Sequence, residues 1–256
     1  PLSTDLSIMR QSLIFSGLET LAFNINRQQS DLKLFEFGKT YHDFDDQKEE
    51  FNHLSILITG NKTEKRWNSK KTEVGYFYLK GLVTGIFDRL GIKKFKSLPL
   101  SNDIFSEGQQ LSVGKHSLVE FGSLKTNALN TFGISQNVFC ANFNWNNLLK
   151  VINQNTIKFK DISKYPEVKR DLSLLIDEDI TFEKLYKLAK QSENNYLKDI
   201  NLFDVYRGDK LENGKKSYSI SFTLQDNKQT LKDSQIDKIM SKIQKRFESE
   251  LGAELR

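Results

Sequence analysis

Apolar residues recur at two different spacings along this chain, and the changes of spacing mark out its elements. Leu13, Ile14, Leu18, Leu21, Ala22 and Ile25 fall at helical intervals, which predicts an amphipathic helix over 11–26. From 32 to 38 apolar and polar residues alternate as in a half-buried strand, and 54–59 reads as a second strand closed by Gly60 and Asn61. Helical spacing returns over 74–90 and stops at Gly91, a residue type that readily takes the left-handed conformation of a helix end. Strands are predicted around 95–98, 110–113, 117–121 and 138–143, with a short helix over 145–152.

From Ser163 the organisation changes. A strand over 171–176 leads to a helix over 182–191, strands over 197–206 and 215–224, a helix over 232–251 and a closing strand over 253–256. The order β-α-β-β-α-β is the split-βαβ, ferredoxin-like arrangement, whose two helices cover one face of the sheet and leave the other open. In the third strand Ser217, Ser219, Ser221 and Thr223 alternate with Tyr218, Ile220, Phe222 and Leu224. A period of two puts the small hydroxyls on one face and the large apolar groups on the other. The fold class read from the chain is therefore α+β: an antiparallel-sheet module over 1–158, then a ferredoxin-like domain over 159–256.

Composition narrows the class. At 256 residues, 38% hydrophobic and 28% charged, the chain suits two globular domains. The lone Cys140 has no partner for an internal disulfide and reads as a small buried hydrophobe, pointing to a cytoplasmic protein. No apolar run is long enough to span a bilayer and no signal peptide opens the chain, so no membrane association is expected. The chain opens on Pro1 rather than a methionine, which suggests that further parts lie upstream. Of the 38 basic and 33 acidic residues, 19 and 18 lie in 159–256, leaving that segment net +1 and the rest net +4. General basicity thus gives no reason to expect nucleic-acid binding by the second domain; any such site must be a local arrangement.

Four motifs in the second domain carry a family resemblance: Ser163 to Ser173, with Tyr165-Pro166 followed by Arg170-Asp171-Leu172; Leu202 to Gly208, followed by Gly214 to Ser217; Gln229 to Asp233; and Gly252 to Arg256. They are similar, in order and spacing, to the anticodon-binding domain that ends the β subunit of bacterial phenylalanyl-tRNA synthetase. Ile8 to Ile14, Gly17 to Glu19, Asn24 to Arg27, Leu34 to Tyr41 and Phe121 to Leu124 resemble the synthetase-like module of the same subunit, so the likeness covers essentially the whole chain. The resemblance implies a degenerate class II synthetase-like core followed by a tRNA-binding domain. The implied partners are tRNA(Phe) and the catalytic α subunit, in an α2β2 assembly, with no DNA partner. ATP and Mg2+ would be used elsewhere in the holoenzyme, with no cofactor in this fragment, and proofreading and magnesium-binding parts would lie upstream.

The residues admit physical readings of their own. Pro166 fixes its φ and holds Tyr165 extended. Gly208 and Gly214 bracket a charged hairpin loop from which Lys210, Lys215 and Lys216 could reach phosphates. Thr230 is a candidate helix cap, with Asp233 adding favourable charge at the dipole end. Tyr165, Arg170, Tyr206 and Arg207 fit a rigid hairpin corner with paired charges, Arg170 to Asp204 for example. They equally fit an RNA contact in which unpaired bases stack on rings and guanidinium planes. The candidate tRNA-binding set is Tyr165, Arg170, Tyr206, Arg207, Lys210, Lys215, Lys216 and Ser217.

No active site is expected. The Gly-rich turn ending in Glu-Arg by which class II synthetases clamp ATP is missing, and Gly122-Ser123 and Gly133-Ile134-Ser135 lack an arginine partner. Arg10 stands either where an ancestral arginine stood or in an ion pair with Asp5 or Glu36. His42, His53 and His116 lack metal-ligand spacing, and the acidic run Asp43, Asp45 and Asp46 reads as part of a solvated loop through Glu50. Three functions remain open: an RNA-binding and assembly fragment, a purely structural interaction fragment, and an autonomous adenylate-forming enzyme, the last contradicted by the missing arginines.

Overall fold

In the computed structural model the chain divides into two compact units, Pro1–Lys158 and Phe159–Arg256. The structure describes residues 7–44, 47–63, 67–68, 70–152, 159, 161–208 and 211–256.

The first unit opens on α1 (Ile14–Ile25), which buries Ile14, Leu18 and Leu21. A hairpin follows, of β1 (Leu32–Phe44) and β2 (Gln47–Thr59). Both strands run past the segments that alternation marks, because their ladder continues to the pair Phe44 and Gln47. Ladder hydrogen bonds are made by backbone and place no demand on side-chain polarity. Asp43, Lys48, Glu49 and Glu50 are therefore strand residues and not a solvated loop, while Asp45 and Asp46 lie outside the described residues.

Helix α2 (Tyr76–Arg89) ends as expected at Gly91, whose φ of 70° is left-handed. Then come β3 (Lys96–Leu100), β4 (Phe105–Val113), β5 (His116–Leu124), α3 (Thr126–Thr131), β6 (Val138–Asn144) and α4 (Trp145–Ile152). The short α3 buries only Leu129, too little periodicity to be read from sequence. The strands form one antiparallel sheet in the order β1-β2-β6-β5-β4-β3.

Both faces of this sheet are covered. Leu54 and Ile58 of β2 pack with Leu79, Val83 and Phe87 of α2 and Leu148 of α4. Their neighbour Leu57 points the other way, onto Ile14, Leu18 and Leu21 of α1. Cys140 is wholly buried in that second core, and desolvation pushes its thiol pKa up to about 12.

The second unit runs β7 (Val168–Asp177), α5 (Phe182–Ser192), β8 (Leu197–Tyr206), β9 (Lys215–Leu224), α6 (Asp233–Leu251) and β10 (Glu254–Leu255). Its antiparallel sheet has the order β10-β7-β9-β8, the ferredoxin-like topology. Leu174, Ile176, Ile220, Phe222 and Leu224 face Leu185 and Ala189 of α5 and Ile236, Ile243 and Phe247 of α6. Helix α6 begins two residues later than the Thr230 cap would set it. Its N-cap is Lys232, whose backbone N–H donates to Gln235 Oε1 at 3.0 Å, half of a capping box.

Two outcomes test this packing. Phe222 is fully buried against Phe247, so Phe222→Ala is expected to cost about 3–5 kcal/mol in urea-induced unfolding followed in the second unit. Cys140 should resist a thiol-specific chromogenic reagent at pH 8 in the folded protein and react at once in denaturant, since only the thiolate is nucleophilic.

Candidate nucleic-acid interface

The uncovered face of the second unit follows from strand register. On β9 it carries Lys215, Ser217, Ser219, Ser221 and Thr223; on β7, paired with them, Asp177, Leu175, Ser173, Asp171 and Lys169. On β8 it carries Tyr206, Asp204, Asn201 and Asp199, and on β10 Glu254 beside Leu175. Two bulges in β8, at Lys198 and Phe203, keep this side in register. Without the second bulge, Phe203 would oppose Ser219, and Asp204 and Tyr206 would turn to the helix side. The hydroxyls lie low between taller neighbours: Ser217 is 4% exposed, and the Ser173 and Ser219 hydroxyls are 3.1 Å apart.

This row of short side chains leaves a trough, and Arg256 crosses it. The Arg256 backbone N–H donates to Ser173 O at 2.9 Å, yet its guanidinium lies 5.3 Å from the ring centroid of Tyr206, on the strand beyond β9. Tyr206 in turn folds over Gly208, where an added Cβ would meet the phenol oxygen at 2.8 Å. Beside them Lys215 Nζ pairs with Glu254 at 3.0 Å and Glu212 at 3.1 Å, and those hydrogen bonds raise its pKa, Glu254 first. The end of the face at Tyr206 thus sets a guanidinium over an aromatic ring, with hydroxyls on its floor. Arg256 was absent from the sequence-derived candidates; only the closing strand, two residues long, brings it there.

The other candidates separate. Tyr165 lies at the far end of β9, its carbonyl accepting from Gln225 Nε2 at 2.8 Å. Ser217, beside Tyr206, and Leu224, next to Gln225, are seven residues apart on β9, about 23 Å at roughly 3.3 Å per residue. The two tyrosines therefore do not form one stacking site. Arg170 shares a face with Leu172 and Leu174, on the side the helices cover, and pairs with Asp233 at 3.4 Å rather than with Asp204. Arg207 pairs with Glu178 at 3.4 Å. Lys216 is 3% exposed: it donates to Glu178 O at 2.7 Å and lies over the Tyr218 ring, so it does not reach for phosphate from the open face. Period two decides this, since Lys216 is in step with Tyr218 and Lys215 with Ser217. Lys210 lies outside the described residues.

In the first unit, Arg10 pairs with Glu36 at 2.6 Å and donates to Lys39 O. Arg27 caps a turn of α1 through Phe23 O and stacks on the Phe23 ring. Burial holds the His53 imidazole below its ordinary pKa, and no metal-ligand cluster of His, Cys, Asp or Glu occurs among the described residues. Beside α2 an apolar groove of about 350 Å³ is lined by Phe35, Phe37, Ile56, Tyr78, Leu82 and Ile86. Phe35 and Phe37 stand largely exposed at its rim.

Comparison with known proteins agrees with both halves. The model of the phenylalanyl tRNA synthetase beta chain CLM domain matches residues 1–145, and that of the ferredoxin-fold anticodon binding domain matches 163–256. The phenylalanine–tRNA ligase beta subunits of Bacteroides fragilis, Bacteroides thetaiotaomicron and Porphyromonas gingivalis are 43%, 42% and 36% identical over the whole chain. The chain spans 33% of the length of each of these relatives. No helix among the described residues is long and apolar enough to cross a membrane. With one family model covering more than half of the chain and the second fitting the ferredoxin-like unit, the chain belongs to the phenylalanyl-tRNA synthetase β-chain family.

Proposed function

We propose that this chain is a non-catalytic part of a cytoplasmic phenylalanine–tRNA ligase. The second unit holds the anticodon stem-loop of tRNA(Phe) on its open sheet face. The first assembles with the catalytic α subunit in an α2β2 enzyme, and ATP and Mg2+ act elsewhere in that enzyme. The observation that carries the RNA reading is the Tyr206–Arg256 cation–ring pair beside low hydroxyls, a place at which an unpaired base can lie with its edge near Ser217. The non-catalytic reading is supported by Arg10 and Arg27, which are engaged with their own neighbours rather than free to hold a triphosphate. Assembly is supported by the exposed Phe35 and Phe37 beside an apolar groove.

A second reading is favoured by one observation. The open face carries Asp171, Asp177, Asp199, Asp204 and Glu254 against Lys169, Lys215 and Arg256, an excess of acid that suits a basic protein surface. In that reading the unit packs on protein and touches no RNA.

Titration of the chain with an anticodon-arm RNA at low salt separates the two; no measurable binding favours the structural reading. Where RNA binds, Tyr206→Ala is expected to weaken it on the order of 10- to 100-fold, the worth of a stacked base. Arg170→Ala should leave the affinity within about twofold and cost under about 1 kcal/mol of stability, because its ion pair is solvent-exposed and on the helix side. Equal losses from the two variants would remove Tyr206 from the interface. Co-elution with the α subunit in size exclusion tests assembly; separate elution at micromolar concentration would count against it.

A further inference from the structure

The open face of the second unit has a charge pattern unlike that of a surface built to carry a phosphate backbone. The hydroxyl strip of β9 is walled on both sides by carboxylates: Asp171 opposite Ser221 on β7, and Asp199 opposite Thr223 and Asp204 opposite Ser219 on β8. All three are exposed. The acidic partners in the ion pairs of this unit are Glu178, Glu183, Glu212, Asp233, Glu250 and Glu254. Asp171, Asp199 and Asp204 are therefore in no ion pair among the described residues, and of the three Asp199 has Lys190 of α5 close enough to interact with its charge. Of the three cations on the face, Lys215 is held by Glu212 and Glu254, and Arg256 lies on Tyr206. Lys169, at the end far from Tyr206, and Arg256 have no ion pair among the described residues.

Neighbouring strands lie about 4.8 Å apart and same-face positions along a strand about 6.6 Å apart. A phosphate resting on the strip would thus sit within one Debye length, about 10 Å at 0.1 M salt, of several of these carboxylates. A base edge carries no net charge and meets no such repulsion. Its N–H donors find acceptors in both the serine hydroxyls and the carboxylates.

We propose that Asp171 and Asp199 are specificity-determining residues that act by exclusion. They keep phosphodiester backbone off the sheet, so that RNA enters only with unpaired bases turned toward the hydroxyl strip and phosphates turned away. This rests on the RNA reading above and deepens it: the ligand is a splayed loop held by its bases, selected against duplex and against unstructured strands that bind through their backbone. Affinity for the selected RNA then comes from stacking and hydrogen bonds, and its salt dependence is shallow. The near-neutral charge of the unit is thereby part of its selectivity.

The test uses the whole 256-residue chain. Wild type, Asp171→Asn with Asp199→Asn, and Ser221→Asp are each titrated with an anticodon-arm hairpin and with oligouridylate of equal length, over about 50–200 mM salt, the range in which phosphate contacts show their counterion release. The double asparagine variant should bind oligouridylate about three- to tenfold more tightly, with a log K against log salt slope steeper by about one backbone contact. The hairpin should gain less, so discrimination falls. Ser221→Asp adds a carboxylate to the strip and should weaken oligouridylate further. Hairpin binding with unchanged discrimination and slope in the asparagine variant overturns the inference alone. No hairpin binding by the wild-type chain at low salt overturns the RNA reading and this inference with it.

Discussion

The pairing of β7 with β9 over ten residues, from Val168 opposite Leu224 to Asp177 opposite Lys215, is the constraint on which the second unit depends. Once that register is set, every large apolar side chain of β9 falls on the helix side, and every short hydroxyl on the other. The helix side then supplies the core, closed by Phe222 on Phe247. The other side is left with a floor too low to fill the space above it, and Arg256 can reach across two strands to Tyr206. A shift of one residue would bury the serines and expose Ile220 and Phe222. The core and the open face are thus two results of one alternation.

The same alternation separates residues that look equivalent along the chain. Lys215 and Lys216 are adjacent, yet one stands on the open face between two glutamates and the other is turned inward onto a backbone carbonyl. Arg170 is likewise carried to the helix side, where its partner is the first residue of α6. What remains on the open face is more acid than base, so the proposed RNA recognition there would draw on rings, hydroxyls and acceptors and not on bulk attraction for phosphate.

The first unit meets a different demand. Its sheet is sandwiched between two apolar clusters, so successive residues of β2 serve opposite cores and no alternation of apolar with polar survives over 54–58. Along that stretch the strand offers no polar face, and Leu54, Ile56 and Ile58 offer a ligand only part of the lining of the apolar groove beside α2. Apolar surface is instead left over at β1 and α2, where Phe35 and Phe37 have lost the cover that a further layer would give. The two units accordingly carry their unused surface in different chemistry, apolar in the first and polar in the second.

Most of the architecture was legible in the sequence because it rests on local periodicity: β8, β9 and α4 end where the pattern of side chains says they end, and Gly91 stops α2 by its own backbone freedom. The family could also be read there, since its motifs are runs of neighbouring residues. What escaped was whatever depends on a partner distant in the chain. The hairpin of β1 and β2 outran its apolar segments because backbone pairing is indifferent to side chains. The cap of α6 moved to Lys232 because Gln235 reaches back to it. Tyr165 and Tyr206, alike as motifs, were parted by the length of a strand, and Arg256 was joined to Tyr206 by a strand order that no local window contains. Sequence alone determined which residues could share a face, because side-chain direction follows from chain geometry. Which of them meet was decided only by tertiary structure, because register and strand order are set by the packing of the whole core.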